Sequence, residues 1–251
     1  MSGHSKWAGI KHKKAIIDAK RGKEFTKVAN MITVAAKQGG GDPKMNFSLR
    51  LAMDKARAAN MPAINIDRAI KKGTGELGGT APEELMYEGY ASGGVAVLVE
   101  AMTDNRNRTA SEVRSIFSKH GGSMADAGAV AYNFEQKGQI NIILAGQKIK
   151  QEDLELIIID SGAEDFEYND TEIIVYTQKK DLQKAKEFLE TNKVKIDNAE
   201  ITYIPKTEIT VNDATQAAKI IKLIDALEEC EDVVSVHANF DIPEEILEKL
   251  N

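Results

Sequence analysis

The sequence predicts an α+β protein with three domains: an N-terminal helical domain, a discontinuous α+β domain, and a ferredoxin-like domain inserted into the second. Apolar residues follow helical spacing up to about residue 72 and then form alternating runs typical of strands. A glycine pair near residue 78 and a proline at residue 205 separate these runs. From residue 139 the predicted order is strand, helix, strand, strand, helix, strand, which is the order of a ferredoxin-like βαββαβ unit.

The helical domain, residues 1–78, combines a basic arm with three amphipathic helices. The first helix is predicted to end at Gly39-Gly40-Gly41, because glycine adopts the left-handed conformation that closes many helices. The second is predicted to end before Pro62, because the residue before a proline avoids the helical conformation. Few large apolar residues precede residue 24, so that segment is predicted to form the arm. The helices are predicted at 24–38, 45–59 and 63–72.

The discontinuous α+β domain is predicted from residues 79–138 together with 205–251. Ser92-Gly93-Gly94 is a hairpin signal between two apolar runs, and Asp104 or Asn105 can cap the helix that follows. The pair Lys137-Gly138 predicts a turn that ends the first part. Strands are predicted at Leu85–Ala91, Val95–Met102, Val130–Glu135, Thr207–Val211 and Asp232–Phe240, and a long helix at Asp213–Glu229.

The inserted domain covers residues 139–204 and ends at Pro205. Apolar residues alternate again in the last predicted strand, which suits a half-buried strand that completes the sheet of the surrounding domain. The inserted elements are predicted at Gln139–Leu144, Glu152–Ser161, Glu164–Tyr168, Glu172–Thr177, Asp181–Thr191 and Ala199–Ile204.

The composition is that of a globular protein of a reducing compartment. Apolar residues make up 42% of the chain and charged residues 29%. No run approaches the roughly eighteen apolar residues that span a bilayer, and the N-terminus lacks the apolar segment of a secretory signal. The single cysteine, Cys230, cannot form an internal disulfide. We therefore expect a cytoplasmic protein with no membrane partner.

The charges of the chain are strongly segregated. Residues 1–75 contain 16 basic residues against five acidic ones, a formal charge of +11. The remainder carries −17, which leaves the whole chain at −6. Such asymmetry favours a polyanionic partner for the basic part, while the acidic part is expected to face away from phosphate.

No enzyme or cofactor motif rises above background. Gly73-Thr74-Gly75-Glu76-Leu77-Gly78 matches the dinucleotide pattern GxGxxG, but it follows a predicted helix instead of a strand, so we interpret it as a linker. The four histidines and Cys230 lack the spacing of a zinc site, and no serine lies in a GxSxG elbow. We expect no catalytic residues, no metal, no cofactor and no small-molecule substrate.

The first basic constellation lies in the arm and at the start of the first helix. Lysine side chains are suited to following a phosphate backbone. Trp7 can stack on an unpaired base or simply anchor the arm. The predicted nucleic-acid contacts here are Lys6, Trp7, Lys11, His12, Lys13, Lys14, Lys20, Arg21, Lys23 and Lys27.

The second basic constellation opens the helix after residue 104. Arg106 and Arg108 carry planar guanidinium groups that hydrogen-bond bases or phosphate, and a helix N-terminus adds backbone donors. The alternative is a helix cap with intramolecular salt bridges to the acidic domains. Residue types alone leave both interpretations open.

At these residues the sequence resembles the YebC family of probable transcriptional regulators, which includes a mitochondrial translational activator. The resemblance implies three domains, no catalytic activity and no cofactor. One departure is Gly9, where the family pattern favours a polar residue. The resemblance lies in GHSKWAGIKHKKAIIDAKRGKEFTK (3–27), NMPAINIDRAIKKGTGE (60–76), YEGYASGGVAVLVEAMTDNRNRTASEVR (87–114) and KHGG (119–122).

We therefore expect a nucleic-acid-binding regulator of gene expression, not an enzyme. The resemblance implies either a DNA-binding transcriptional regulator or a ribosome-associated factor that binds RNA and activates translation or relieves stalling. A lysine-rich arm with one tryptophan suits structured or single-stranded RNA at least as well as duplex DNA. Two further hypotheses are a scaffold whose acidic domains bind a basic protein, and a hydrolase with its site between domains.

Overall fold

The computed structural model describes residues 19–169 and 171–247, with side chains from residue 22 onwards. They form an α+β protein, as predicted. Of these residues, 135–204 form one compact unit, and the remainder form the other. None of the helices in the described part of the chain combines the length and the apolar composition that crossing a bilayer requires.

Three helices form the N-terminal region and pack around the first of them. Ile32, Leu49 and Ala56 are completely buried between the helices. Asn46 caps the second helix, since its side-chain oxygen accepts from the backbone N–H of Leu49 at 3.0 Å. The helices are α1 (Ala19–Gly39), α2 (Phe47–Ala58) and α3 (Ala63–Gly73).

Glycine is needed at two positions of this region, for a different physical reason at each. Gly40 follows α1 with a φ of +84°, and its N–H bonds to the Ala36 carbonyl, so the predicted left-handed helix end is confirmed. Gly73 ends α3 where a Cβ would lie 2.4 Å from the carbonyl oxygen of Thr33. Glycine at 73 therefore lets α3 approach the backbone of α1.

The α+β part begins with a hairpin, a helix and a short edge strand. The predicted hairpin is confirmed: β1 and β2 pair antiparallel around Ser92–Gly94, where Gly93 has a φ of +77°. Asn105 caps the helix through the N–H of Arg108. The short strand that pairs with β1 was not predicted, because three residues give too little alternation. These elements are β1 (Glu83–Tyr90), β2 (Ala96–Thr103), α4 (Arg106–Lys119) and β3 (Ser123–Ala125).

The unit 135–204 has the predicted βαββαβ order. Its sheet has the strand order β5-β6-β4-β7, and β6 pairs antiparallel with both β5 and β4. Ile140, Ile142, Leu154, Ile158 and Leu189 are completely or almost completely buried in it. Its elements are β4 (Phe134–Ile143), α5 (Gln151–Asp160), β5 (Asp165–Tyr168), β6 (Glu172–Gln178), α6 (Leu182–Thr191) and β7 (Ile196–Pro205).

The chain then returns to complete the first sheet. Its strand order is β3-β1-β2-β9, and β9 pairs antiparallel with β2. One apolar core joins β2, β9, α4 and α7 through residues such as Val97, Phe117 and Ile220. The last elements are β8 (Ile209–Thr210), α7 (Ala214–Glu228), β9 (Val233–Ala238), β10 (Phe240–Asp241) and α8 (Glu244–Leu247), with β10 parallel to β8.

The turn predicted at Lys137-Gly138 is wrong. Strand β4 runs continuously through both residues, and the segment 131–133 before it is a 3₁₀ turn instead of the predicted strand. A Cβ on Gly138 would lie 2.4 Å from Thr177 Oγ1 and 2.7 Å from Leu182 Cβ. Glycine is required there for close packing, and not for a turn. The compact unit accordingly begins at residue 135, four residues before the predicted boundary.

Candidate nucleic-acid interface

The predicted arm lies mostly outside the described residues. Lys20 and Arg21 belong to the first turn of α1, and the structure describes only their backbone. Four predicted contacts have described side chains: Lys23, Lys27, Arg106 and Arg108. The predicted residues Lys6, Trp7, Lys11, His12, Lys13 and Lys14 lie outside the described residues.

Lys23 and Lys27 hold the end of a distant helix. The Nζ of Lys23 donates to the backbone carbonyl of Glu229 at 3.2 Å, and the Nζ of Lys27 donates to that of Glu228. These are the last carbonyls of α7, where the helix dipole is negative and orphan acceptors are exposed. Both lysines therefore anchor α1 to the α+β part, in addition to any contact with phosphate.

A third contact fixes the same helix on the sheet. Asn30 Nδ2 donates to the carbonyl of Met102, at the end of β2, at 3.3 Å. Lys23, Lys27 and Asn30 are spaced by four and three residues and so lie on one face of α1. This face of α1 is therefore held in a defined position on the α+β part.

Arg108 belongs to an intramolecular network around the buried carboxylate of Asp232. Its Nη2 lies 3.0 Å and 2.9 Å from the two carboxylate oxygens, which also accept from Thr109 Oγ1 at 2.6 Å and Thr103 Oγ1 at 3.2 Å. Hydrogen bonding to Asp232 raises the pKa of Arg108 above its ordinary value. The intramolecular salt bridge expected as one of two interpretations is thus present, and a nucleic-acid contact by Arg108 stays a prediction.

Arg106 makes weaker intramolecular contacts than Arg108 does. Its side chain is 69% exposed, and its nearest carboxylate oxygen, on Glu83, is 3.9 Å away. Exposed ion pairs of that length contribute little to the stability of the fold. Arg106 can therefore turn to a phosphate at small cost, as the prediction requires.

Further cations were not among the predicted contacts. In the described part of the chain, their side chains have no hydrogen-bond or ion-pair partner, and they lie on the helical region and on α4. Arg50 and Arg57, by contrast, bond to Pro43 and Asp54. Sequence could identify these cations as basic but not as unpaired, since pairing depends on the folded helix faces. The unpaired cations are Lys37, Lys44, Arg68, Lys72, Arg114 and Lys119.

Comparison with known proteins identifies the family. Residues 5–76 match the family model described as "TACO1/YebC protein N-terminal domain". Residues 82–240 match the model described as "TACO1/YebC second and third domain". The chain belongs to the TACO1/YebC family. The division between the two TACO1/YebC models near residue 80, and the naming of second and third domains, fit the predicted three-domain architecture.

Relatives of the TACO1/YebC chain match along its whole length. A protein of Aquifex aeolicus is 52% identical over 250 residues, covering 100% of both chains, and one of Halothermothrix orenii is 48% identical over 250 residues, covering 100% of this chain and 99% of the relative. Both are named "Probable transcriptional regulatory protein". A crystal structure of a conserved hypothetical protein from Aquifex aeolicus is 50% identical, with a TM-score of 0.85, and covers 92% of this chain and 94% of that one.

Proposed function

We propose that this chain regulates gene expression by binding nucleic acid through its basic N-terminal module, residues 1–78. The observation that carries the proposal is the segregation of charge, with +11 on residues 1–75 against −17 on the remainder. A module of that charge attracts a polyanion by releasing condensed counterions. The names of the relatives support a regulator, and the bonds from α1 hold part of the basic module in a defined place on the α+β part.

The charged groups favour contact with the phosphate backbone over readout of bases. Bidentate arginine is the commonest reader of guanine in the major groove. The first 75 residues contain only four arginines. Of these, Arg50 donates to backbone carbonyls of Pro43 and Lys44, and Arg57 pairs with Asp54. Arg68 is the described arginine of this module whose side chain has no partner among the described residues.

Two targets follow from this chemistry. Transcriptional regulation on DNA agrees with the names of the relatives. The alternative is a ribosome-associated factor that binds RNA and assists translation, and the predominance of lysine over arginine favours it, since structured RNA is bound largely through shape and backbone. In either case the chain acts by binding, without turnover or a cofactor. A third hypothesis is a scaffold that binds a basic protein through the acidic domains.

The test is ultraviolet crosslinking in cells, followed by sequencing of the bound nucleic acid. The variant carries Lys11→Glu, Lys13→Glu and Lys14→Glu. A matched control carries the same number of reversals in the acidic unit, at Lys148, Lys150 and Lys184, which are exposed there. We expect crosslinks that persist in the control and disappear in the arm variant.

The crosslinked species decides between the targets. Promoter DNA would make the chain a transcriptional regulator, and ribosomal or transfer RNA would make it a translation factor. Crosslinks that survive the arm variant would contradict contact through the arm and direct attention to Arg68 and Arg106. A chain that crosslinks to no nucleic acid, yet retains a protein partner after nuclease treatment, would contradict the proposal as a whole.

A further inference from the structure

A loop on the α+β part is held at almost every backbone position. The loop, residues 126–133, connects β3 to β4 and includes the 3₁₀ turn at 131–133. Three of its N–H groups, of Gly128, Val130 and Ala131, donate to the carboxylate of Glu88 at 2.6 to 2.8 Å. Tyr90 lies on the same strand as Glu88, and its hydroxyl donates to the carbonyl of Ala129 at 2.9 Å.

The end of the loop is fixed by the chain segment that follows β7. The Nζ of Lys206 donates to the carbonyl of Tyr132 at 2.8 Å, and the backbone N–H of Lys206 donates to that of Asn133 at 2.7 Å. The side chains of Asn133 and Thr207 also bond to each other at 3.0 Å. A buried carboxylate, a tyrosine and a lysine are thus all used to hold one short loop.

This fixed loop presents an aromatic ring to solvent. The side chain of Tyr132 is 72% exposed, and no hydrogen bond or ring contact engages it in the described part of the chain. Tyr90, at the same loop, is 36% exposed. Among the described residues outside 135–204, these are the two most exposed aromatic rings. An exposed ring on a fixed backbone loses little conformational entropy when it binds.

We propose that Tyr132 is a stacking platform for an unpaired base of a single-stranded nucleic acid, with Lys206 contacting the adjoining phosphate. A lysine ammonium has three N–H donors, and Lys206 uses one of them on Tyr132, which leaves two for a phosphate. Aromatic rings beside a cation are the usual elements of single-strand binding, because every base has a π-face. The inference rests on the proposed function and adds a second contact surface to it.

The surroundings favour a base over a protein partner. Hot spots of protein interfaces lie in apolar patches that exclude water. Among the described residues outside 135–204, the other large exposed apolar residues are Met45, Ile64 and Leu77, all in or directly after the helical region. Around Tyr132 lie Asn133 of the loop and Lys206 and Thr207 of the segment after β7, which are polar or charged.

The test measures binding of the full chain to oligouridine, to the same sequence as single-stranded DNA, and to a duplex. We expect Tyr132→Ala to weaken single-strand binding about tenfold and duplex binding not at all, whereas Tyr132→Phe keeps the affinity. Because no charge is lost, Tyr132→Ala leaves the salt dependence unchanged. Lys206→Ala reduces the magnitude of the slope of log binding constant against log salt concentration by about 0.7, the value for one phosphate contact of a single strand. Preference for oligouridine or for the DNA strand identifies the source of the base.

The arm variant separates failure of this inference from failure of the proposed function. If wild-type protein binds and the Lys11, Lys13 and Lys14 reversals abolish binding, but Tyr132→Ala binds like wild type, the platform is wrong and the proposed function stands. Equal loss in Tyr132→Phe would also overturn stacking. If wild-type protein binds none of the probes, both fail. Crosslinked peptides that carry a nucleotide on Tyr132 are the direct confirmation.

Discussion

The carboxylate of Glu88 is almost completely buried, yet it has no cationic partner among the described residues. It is 6% exposed and accepts three backbone N–H groups. Burial by itself raises the pKa of Glu88, but the N–H groups of Gly128, Val130 and Ala131 more than offset it and hold the pKa below the ordinary value of 4.5. Such a residue stabilises the fold in its ionised form.

Replacement of Glu88 by Gln tests this. The folded state binds the proton more weakly than the unfolded one, so the carboxylate stabilises the fold above about pH 4.5 and loses that effect as the pH falls through its folded pKa. We expect Glu88→Gln to lower the free energy of unfolding by about 1–3 kcal/mol at neutral pH, because all three N–H groups lose a charged acceptor and the amide nitrogen of Gln cannot accept from any of them. Urea denaturation at about pH 7 and about pH 3 measures it.

The matched control is Glu84→Gln, an exposed carboxylate on the same strand. It should change stability little at either pH. A deficit of Glu88→Gln that is equally large in acid would show that the carboxylate's charge is not what holds the loop.

Residue types alone indicate where charge lies but not what it meets. Residue types predict a nucleic-acid contact for Lys23 and Lys27, and for Arg108 they leave open either such a contact or an intramolecular salt bridge. Besides the local Asp104, at 3.4 Å, Arg108 bonds to Asp232, 124 residues later, and the lysines bond to carbonyls more than 200 residues away. Such pairs form only in the tertiary structure, so a single sequence carries no local signal for them.

Helix α1 joins the arm to the rest of the molecule, and its lysines serve as caps for α7. The bonds from Lys23 and Lys27 satisfy carbonyls that the helix itself leaves without donors. The same residues thus contribute to the basic charge of the module and to its attachment.

Substitution of Lys27 by Met separates these roles. Met keeps the apolar stem but cannot donate to the Glu228 carbonyl, so we expect a loss of about 1 kcal/mol in the free energy of unfolding. Lys44→Met removes the same charge from an exposed loop position and should be near neutral. Urea denaturation of both variants gives the comparison. Equal stability of the two would mean that the cap contributes nothing.

At the scale of elements, the spacing of apolar residues predicted the helices and strands well, whereas glycines predicted turns correctly at some positions only. The three N-terminal helices, the hairpin and the βαββαβ order were visible because each spans enough residues to show its period. Gly40 and Gly93 were assigned correctly, since positive φ is the common reason for glycine in turns. Gly138 was wrongly predicted to lie in a turn. Glycine is needed there because a Cβ would clash with the side chain of Thr177, a contact that the local sequence does not reveal.

The unit 135–204 enters and leaves the rest of the chain at one place. The N–H of Lys206 bonds to the carbonyl of Asn133 at 2.7 Å, so the ends of the insertion lie side by side. By sequence the unit contains 15 acidic and nine basic residues, a formal charge of −6. It therefore accounts for the whole net charge of the chain.

Excision of residues 135–204, with a short glycine linker from 134 to 205, should leave a chain that still unfolds cooperatively around the core of β2, β9, α4 and α7. Removing the acidic unit also removes repulsion of phosphate, so we expect tighter non-specific binding to nucleic acid at low salt and a smaller difference at high salt. Fluorescence anisotropy against ionic strength measures both.

A full-length variant with six exposed acids neutralised separates charge from bulk. If charge is responsible, that variant binds as tightly as the excised chain. Unchanged affinity in both would show that the acidic unit does not restrain binding. The six acids are Glu152, Asp153, Asp160, Glu187, Glu190 and Asp197.

The pairing of β2 with β9 also sets the order in which the nascent chain can fold. Strand β2 ends at Thr103, whereas its neighbour begins at Val233, near the end of the chain. During synthesis, the residues between Thr103 and Val233, about half of the chain, must be made before β9 can pair with the second edge of β2. The unit 135–204 is complete earlier and has its own core, so it can fold while β2 still lacks its partner. Synthesis of β9, and not emergence of the hairpin, therefore times the assembly of the surrounding sheet.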